Sequence, residues 1–412
     1  MGANLNAAAD SAPESGPGTG SSAAADAAAD AGSEWIRLSD PDMSMAELDA
    51  VKQVLGSPRL SAGPRVAQFE NEFSAYLGRT YGVAAASGTM ALLMTLRALG
   101  IGPGDEVIAA SYSWHQIANA IALAGATPVF SDIDYWTGTL APEKAAAKIN
   151  ARTRALLVAN CNGHPAAWLR FRQLAQQHGL TLIEDSTEAI GSRYQGRLVG
   201  TFGDVAIFDF SQPSALCCGD GAMLVTDNPA LASELRYVRN CALGDRMSIS
   251  VGSRVPLQAS MSDVAAALGV AQLARLDGLL ARRKTVQAYY LEHIQFFEGI
   301  KPPYIAPEVD DMHAMLYLVH LGTRFTRTLR NQIIDDLHTE EIEAAPWCRP
   351  LHQQFYYSRY GCKSGDLFIT EKIADRGLAL PLHSHLTDDE VHFIVQTAKD
   401  SSINVGAGAA IY

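Results

Sequence analysis

The chain has 412 residues, 48% of them hydrophobic, and a formal net charge of −12. That is material for one large domain and a smaller one, and the acidic balance argues against nucleic acid or an anionic membrane surface as partner. No run of 18 apolar residues occurs, so no segment is expected to span a membrane. Residues 1–33 are almost wholly Ala, Gly, Ser, Pro and Asp. They cannot bury enough apolar area to offset ordering entropy, and a disordered tail is expected. They have neither the basic nor the apolar region of a secretory leader.

Apolar residues at helical spacing predict helices over 47–55 and 66–77, joined by a loop rich in turn residues at 57–64. A short strand over 81–86, the turn Ser87-Gly88-Thr89 and a helix over 90–99 follow. That order turns backbone N–H groups outward at a helix N-terminus, which receives anions such as phosphate. Ser and Thr also suit an ordinary capped helix. Strands over 106–110, 127–134, 154–159 and 180–185 then alternate with helices over 116–123, 143–149 and 168–178. The alternation implies a mainly parallel sheet covered by helices. From about residue 230 the pattern turns mainly helical. A strand over 312–321 and a helix over 328–337 read as part of a smaller C-terminal α+β domain, with the large domain expected at 34–240 and the small one at 241–412.

In open parallel sheets ligands bind at the carboxyl ends of the strands. Residues 111–115, 160–164, 185–188 and 208–222 fall at such ends. In the last of these, two Cys, two Ser and two Asp surround glycines, which suits close approach of backbone to a ligand. The six cysteines (161, 217, 218, 241, 348 and 362) form no CxxC pair and no zinc spacing, so no metal is expected. They read as reduced thiols, which points to the cytoplasm.

Several motifs resemble the DegT-type sugar aminotransferases, pyridoxal-phosphate enzymes of the aspartate-aminotransferase fold that act on keto sugars. They are Arg59-Leu60-Ser61-Ala62-Gly63-Pro64, Ser87-Gly88-Thr89, Gly102-Pro103-Gly104-Asp105-Glu106-Val107-Ile108, Ile183-Glu184-Asp185, Gly200-Thr201-Phe202-Gly203-Asp204 and Ala379-Leu380-Pro381-Leu382-His383. The resemblance runs over roughly 35–400 and implies an α/β three-layer sandwich and a homodimer. It also implies roles. Gly88 and Thr89 match the turn that holds the cofactor phosphate, and Trp114 matches the aromatic stacked on the pyridine ring. Asp185 matches the carboxylate on the ring nitrogen, which makes the ring an electron sink.

The chain departs from the family where the cofactor would be anchored. Ser214 stands at the position of the Schiff-base Lys, and a hydroxyl cannot replace that amine. Asp209 replaces a phosphate-binding Ser, and a carboxylate repels a phosphate dianion. Glu188 stands for a Gln beside the ring hydroxyl, while Gln258 and Ser260 stand for an Asn and an Arg. No Lys falls in the strand-end motifs. The expectation is an enzyme with no cofactor. It would carry out acid–base chemistry (cyclisation, dehydration, hydrolysis or group transfer) on a small polar metabolite of specialised biosynthesis. Asp185, His164, Glu188 and Ser214 are its expected catalytic residues, His164 serving as base with a carboxylate as orienter. Gly88, Thr89, Trp114 and Asp185 would be vestigial cofactor positions. Two alternatives stand beside it: a non-catalytic pseudoenzyme, and a lysine-less aminotransferase or dehydratase that holds PLP or PMP non-covalently.

Overall fold

The computed structural model describes residues 35–239, 255–295 and 297–409. The expected tail at 1–33, Cys241 and the expected boundary between 240 and 241 lie outside them. Helices α1 (Met45–Leu55) and α2 (Pro64–Leu77) open the fold. Ser44 and Glu47 form a reciprocal capping box on α1. Pro64 begins α2, where its missing N–H costs nothing.

Strands and helices then alternate: β1 (Tyr81–Ala85), α3 (Gly88–Ala98), β2 (Glu106–Ala110), α4 (His115–Leu123), β3 (Thr127–Ser131), α5 (Pro142–Ala146), β4 (Thr153–Ala159), α6 (Trp168–His178) and β5 (Thr181–Asp185). A short hairpin, β6 (Arg193–Tyr194) and β7 (Arg197–Leu198), leads to β8 (Val205–Asp209), β9 (Ala222–Thr226) and α7 (Pro229–Arg239). The seven-stranded sheet has the order β1-β9-β8-β5-β4-β2-β3. It is parallel from β8 through β3, while β9 runs antiparallel to both β1 and β8. The expected α/β class with a mainly parallel, helix-covered sheet is therefore the observed one.

Both faces of the sheet are buried, because successive side chains of a strand point to opposite sides. Leu157, Ile183, Val205 and Ile207 pack with Leu92 and Leu96 of α3, Ile121 of α4 and Leu235 of α7. On the other face Ala206, Phe208 and Met223 meet Phe69 and Phe73 of α2, and Leu156 and Leu182 meet Trp168 and Phe171 of α6. Full burial of one Phe of this kind contributes about 1.5–3 kcal/mol.

The rest of the chain comprises α8 (Asp263–Ile294), β10 (Ile300–Lys301), β11 (Val309–Asp311), β12 (Tyr317–Leu321), α9 (Arg327–Thr339), β13 (Ala345–Pro346), α10 (Phe368–Ala374), β14 (Gly377–Leu380) and α11 (Asp388–Ala409). A second, antiparallel sheet has the order β10-β12-β14-β13, and β11 extends the β6–β7 hairpin. Helix α8 is long and apolar enough to cross a membrane by length and composition. Here it packs on α1, α2 and α11, and buries Arg283 against the carbonyls of Leu382, Ala314 and Met315. Its Asp263 carboxylate accepts the N–H groups of Gly63 and Val66, which fixes the start of α2.

Candidate active site

The carboxyl ends of β2, β4, β5 and β8 lie side by side and deliver the site residues. The two acids ending β5 point opposite ways. Glu184 accepts backbone N–H bonds from Gly200, Phe202 and Gly203 and the Ser186 hydroxyl, at 2.5–2.9 Å. It is a structural clamp. Asp185, also buried, accepts the Thr187 N–H at 3.1 Å on one oxygen and the Gln116 side-chain amide at 3.0 Å on the other. Burial raises its pKa, and the nearby Asp209 charge pushes the same way. Glu188 accepts the Asn162 N–H at 2.5 Å. Burial, with the Asp185 charge adding to it, lifts the Glu188 pKa to about 8, so at neutral pH it is mostly a neutral acid.

Asp209 ends β8 and reaches the N-terminus of α3. One of its oxygens accepts the Gly88 N–H at 2.7 Å. The other accepts the Ser211 N–H at 2.8 Å and the Ser211 hydroxyl at 2.6 Å. A Cβ on Gly88 would come within 2.4 Å of the carboxylate, so the close approach requires glycine. Ser87 caps the same helix through Met90, and half-buried Thr89 follows Gly88. The anion seat expected at this turn is filled by the chain's own carboxylate.

Beside this cluster opens a cavity of about 530 Å³ walled by Trp114, His115, Gln212, Pro213, Leu316, Glu343, Trp347, Cys348 and Arg349. Trp114 precedes α4 and meets Trp347 edge-on, with ring centroids 5.3 Å apart. Its indole nitrogen and the Ser214 hydroxyl are buried atoms without a hydrogen-bond partner among the described residues. Asp185 is not on the wall. Gln116, two residues after Trp114, holds it and also reaches Thr187, whose hydroxyl accepts the Asp209 N–H. Sequence reading missed both Gln116 and Thr187. The available signal was an amide in the first turn of a mainly apolar helix just beyond a strand end.

His164 does not join Asp185. It lines a separate cavity with Asp134, Tyr304 and Glu308. Its Nδ1–H donates to the Pro165 carbonyl at 2.8 Å, and its Nε2 accepts the Ala306 N–H at 3.1 Å. Burial lowers its pKa. Both nitrogens are thus committed to backbone, which corrects the expected base–orienter pair. Cys217 and Cys218 are buried, and that burial raises both thiol pKa values, so neither is an activated nucleophile. His352 bridges the Ser111 hydroxyl and Glu371 at 2.6 and 3.0 Å.

A mainly parallel, helix-covered sheet with its polar cluster at the strand ends is the architecture of fold type I aminotransferases, and the similar solved structures have it. The chain belongs to the DegT/DnrJ/EryC1/StrS aminotransferase family, which it matches over residues 41–399. It is 33% identical to the spore coat polysaccharide biosynthesis protein SpsC of Bacillus subtilis (strain 168), over 89% of this chain and 97% of SpsC. The aminotransferase TlmJ of Streptoalloteichus hindustanus is 31% identical with a TM-score of 0.82, covering 90% of this chain and 99% of TlmJ. Spr1654 of Streptococcus pneumoniae, assigned as a sugar aminotransferase, is 26% identical over 90% of this chain and 99% of its own. It has been solved in PMP and PLP forms, with TM-scores of 0.85 and 0.84.

These relatives overturn the expectation of a chain without a cofactor. Ser214 carries no amine, yet a ring can contact a carboxylate and an aromatic without covalent attachment. The residues present fit a vitamin B6 cofactor unevenly. Asp185 and Trp114 suit a pyridinium ring. Ser214 offers no amine, and Asp209 opposes a phosphate: like unit charges 4 Å apart repel by about 4 kcal/mol at an effective dielectric near 20.

Proposed function

We propose that this chain is a lysine-less sugar aminotransferase that holds PLP or PMP non-covalently and exchanges an amino group with a keto sugar. The reading rests most on the buried Asp185 at the end of β5, in a chain whose relatives include an aminotransferase solved with both cofactor forms. A bound pyridoxal-type ring supplies an electron sink for the substrate carbon. This chain's residues do the rest. Asp185 would hold positive charge at the ring nitrogen, Trp114 would cover the ring, and neutral Glu188 would donate a hydrogen bond from the oxygen that does not accept the Asn162 N–H. Gln116, which donates to one Asp185 oxygen, would give up that bond to a ring nitrogen.

We read the chain as a cytoplasmic homodimer. Cys161, Cys217, Cys218, Cys348 and Cys362 are free thiols. Met45, Leu48 and Leu55 of α1 and Leu60 beyond it are exposed, leaving apolar surface for a second copy to cover. The activity is tested by supplying PMP or pyridoxamine in parallel, with an amino-acid donor and a panel of keto sugars, and following amino-sugar formation by mass spectrometry. Wild type should form product and Asp185→Asn should not. Equal turnover by the variant would contradict the assignment.

A further inference from the structure

The anion seat beside this cavity, just behind its Gln212–Pro213 wall, is taken, and the carboxylate that takes it is fixed. Asp209 is buried and receives three hydrogen bonds: the Gly88 N–H on one oxygen, and the Ser211 N–H and hydroxyl on the other. Swinging it aside would strip partners from all three donors. Its approach is so close that residue 88 has no room for a Cβ. Asp185 and Glu188 stand in the same cluster, near enough that the Asp209 charge acts on Asp185 and the Asp185 charge on Glu188. Among the described residues, the one Lys or Arg on the cavity wall is Arg349, which is exposed and shares that wall with Glu343.

The buried Asp185 and Asp209 carboxylates favour a cationic ligand and oppose a dianionic one, and neutral Glu188 adds no positive charge to offset them. We infer that this cleft selects the vitamin B6 form without the phosphate, pyridoxamine over pyridoxamine phosphate, because Asp209 holds the place at the N-terminus of α3 that the phosphate would need. Pyridoxamine keeps the ring nitrogen for Asp185 and the face for Trp114. Its ammonium group, which both forms carry, suits the carboxylates, and it brings no competing phosphate dianion. The inference rests on the proposed function and refines which cofactor form that function uses.

The experiment is ultrafiltration of the full chain with pyridoxamine and, separately, with pyridoxamine phosphate, reading the free vitamer by its absorbance. It is run on wild type, Asp209→Asn and Asp209→Ser. Asparagine keeps the shape and an acceptor for Gly88, so it reports on charge even where serine disturbs folding. Wild type should bind pyridoxamine at least about tenfold more tightly, roughly 1.4 kcal/mol. Both variants should gain affinity for the phosphorylated form, with serine, which also vacates the seat, reversing the order. Tighter binding of pyridoxamine phosphate by wild type, or variants with unchanged selectivity, would overturn the inference and leave the proposed function standing. Binding of neither form by any of the three proteins would overturn both.

Discussion

The Asp209 carboxylate accepts the Gly88 N–H at 2.7 Å, so the strand that ends in the cleft closes the helix that begins there. Each residue sets the other's limits. Gly88→Ala should destabilise the protein by about 1–3 kcal/mol, the usual cost of overpacking. In an Asp209→Ser background the cost should shrink, since the 2.4 Å contact with the carboxylate is removed and what remains is the flexible end of Gln116 at 2.7 Å and the Cβ of residue 209 at 3.0 Å. Urea unfolding of the four proteins of this cycle checks the coupling. Additive losses would show that the two residues do not meet as described.

Glu188 gives a pH signature. Its folded pKa, about 8, lies above the ordinary value of 4.5. Between those values the folded state holds a proton that the unfolded state has released, so stability falls as pH rises through that window and levels off above it. The slope from this group approaches about 1.4 kcal/mol per pH unit. In Glu188→Gln the contribution should vanish, leaving a flatter curve from pH 5 to 8 by urea denaturation. An unchanged slope would mean that Glu188 is ionised in the fold.

The neighbouring acids of β5 should separate cleanly. Glu184→Ala leaves three buried N–H groups without their acceptor and should cost on the order of 3–5 kcal/mol of stability. Asp185→Asn keeps size and hydrogen-bonding capacity and should change stability little while abolishing ring binding. Thermal melts beside a binding assay distinguish them, and a reversed pattern would exchange their roles.

His164→Ala should lose about 1–3 kcal/mol, because the Ala306 N–H and Pro165 carbonyl lose a buried partner. Turnover per folded molecule should be retained. A loss of turnover without a loss of stability would return His164 to the chemistry.

The sheet was legible because its strands are short apolar runs separated by helical spacing; the expected strand over 106–110 and helix over 168–178 match β2 and α6 residue for residue. Asp185 was legible too, as an acid closing such a run. The antiparallel direction of β9 was not, because strand direction depends on connections that local spacing does not encode. His164 misled for a related reason. A His between a strand and a helix reads as poised for catalysis, yet the backbone of residue 306, 142 positions away, claims its Nε2. Gln116 was missed because its partner Asp185 lies 69 residues on. Ser214 and Asp209 stand out in the sequence as departures from the family pattern, but residue identities alone do not determine whether a ring binds beside them.

The most direct measurement is an absorption titration of the purified full chain with vitamin B6 forms, followed at the band of the pyridine ring. The predicted result is a saturable shift at one equivalent per chain in wild type, absent in Asp185→Asn. A wild-type protein that shifts the band of no form at any concentration would contradict the assignment of this cleft to a vitamin B6 ring.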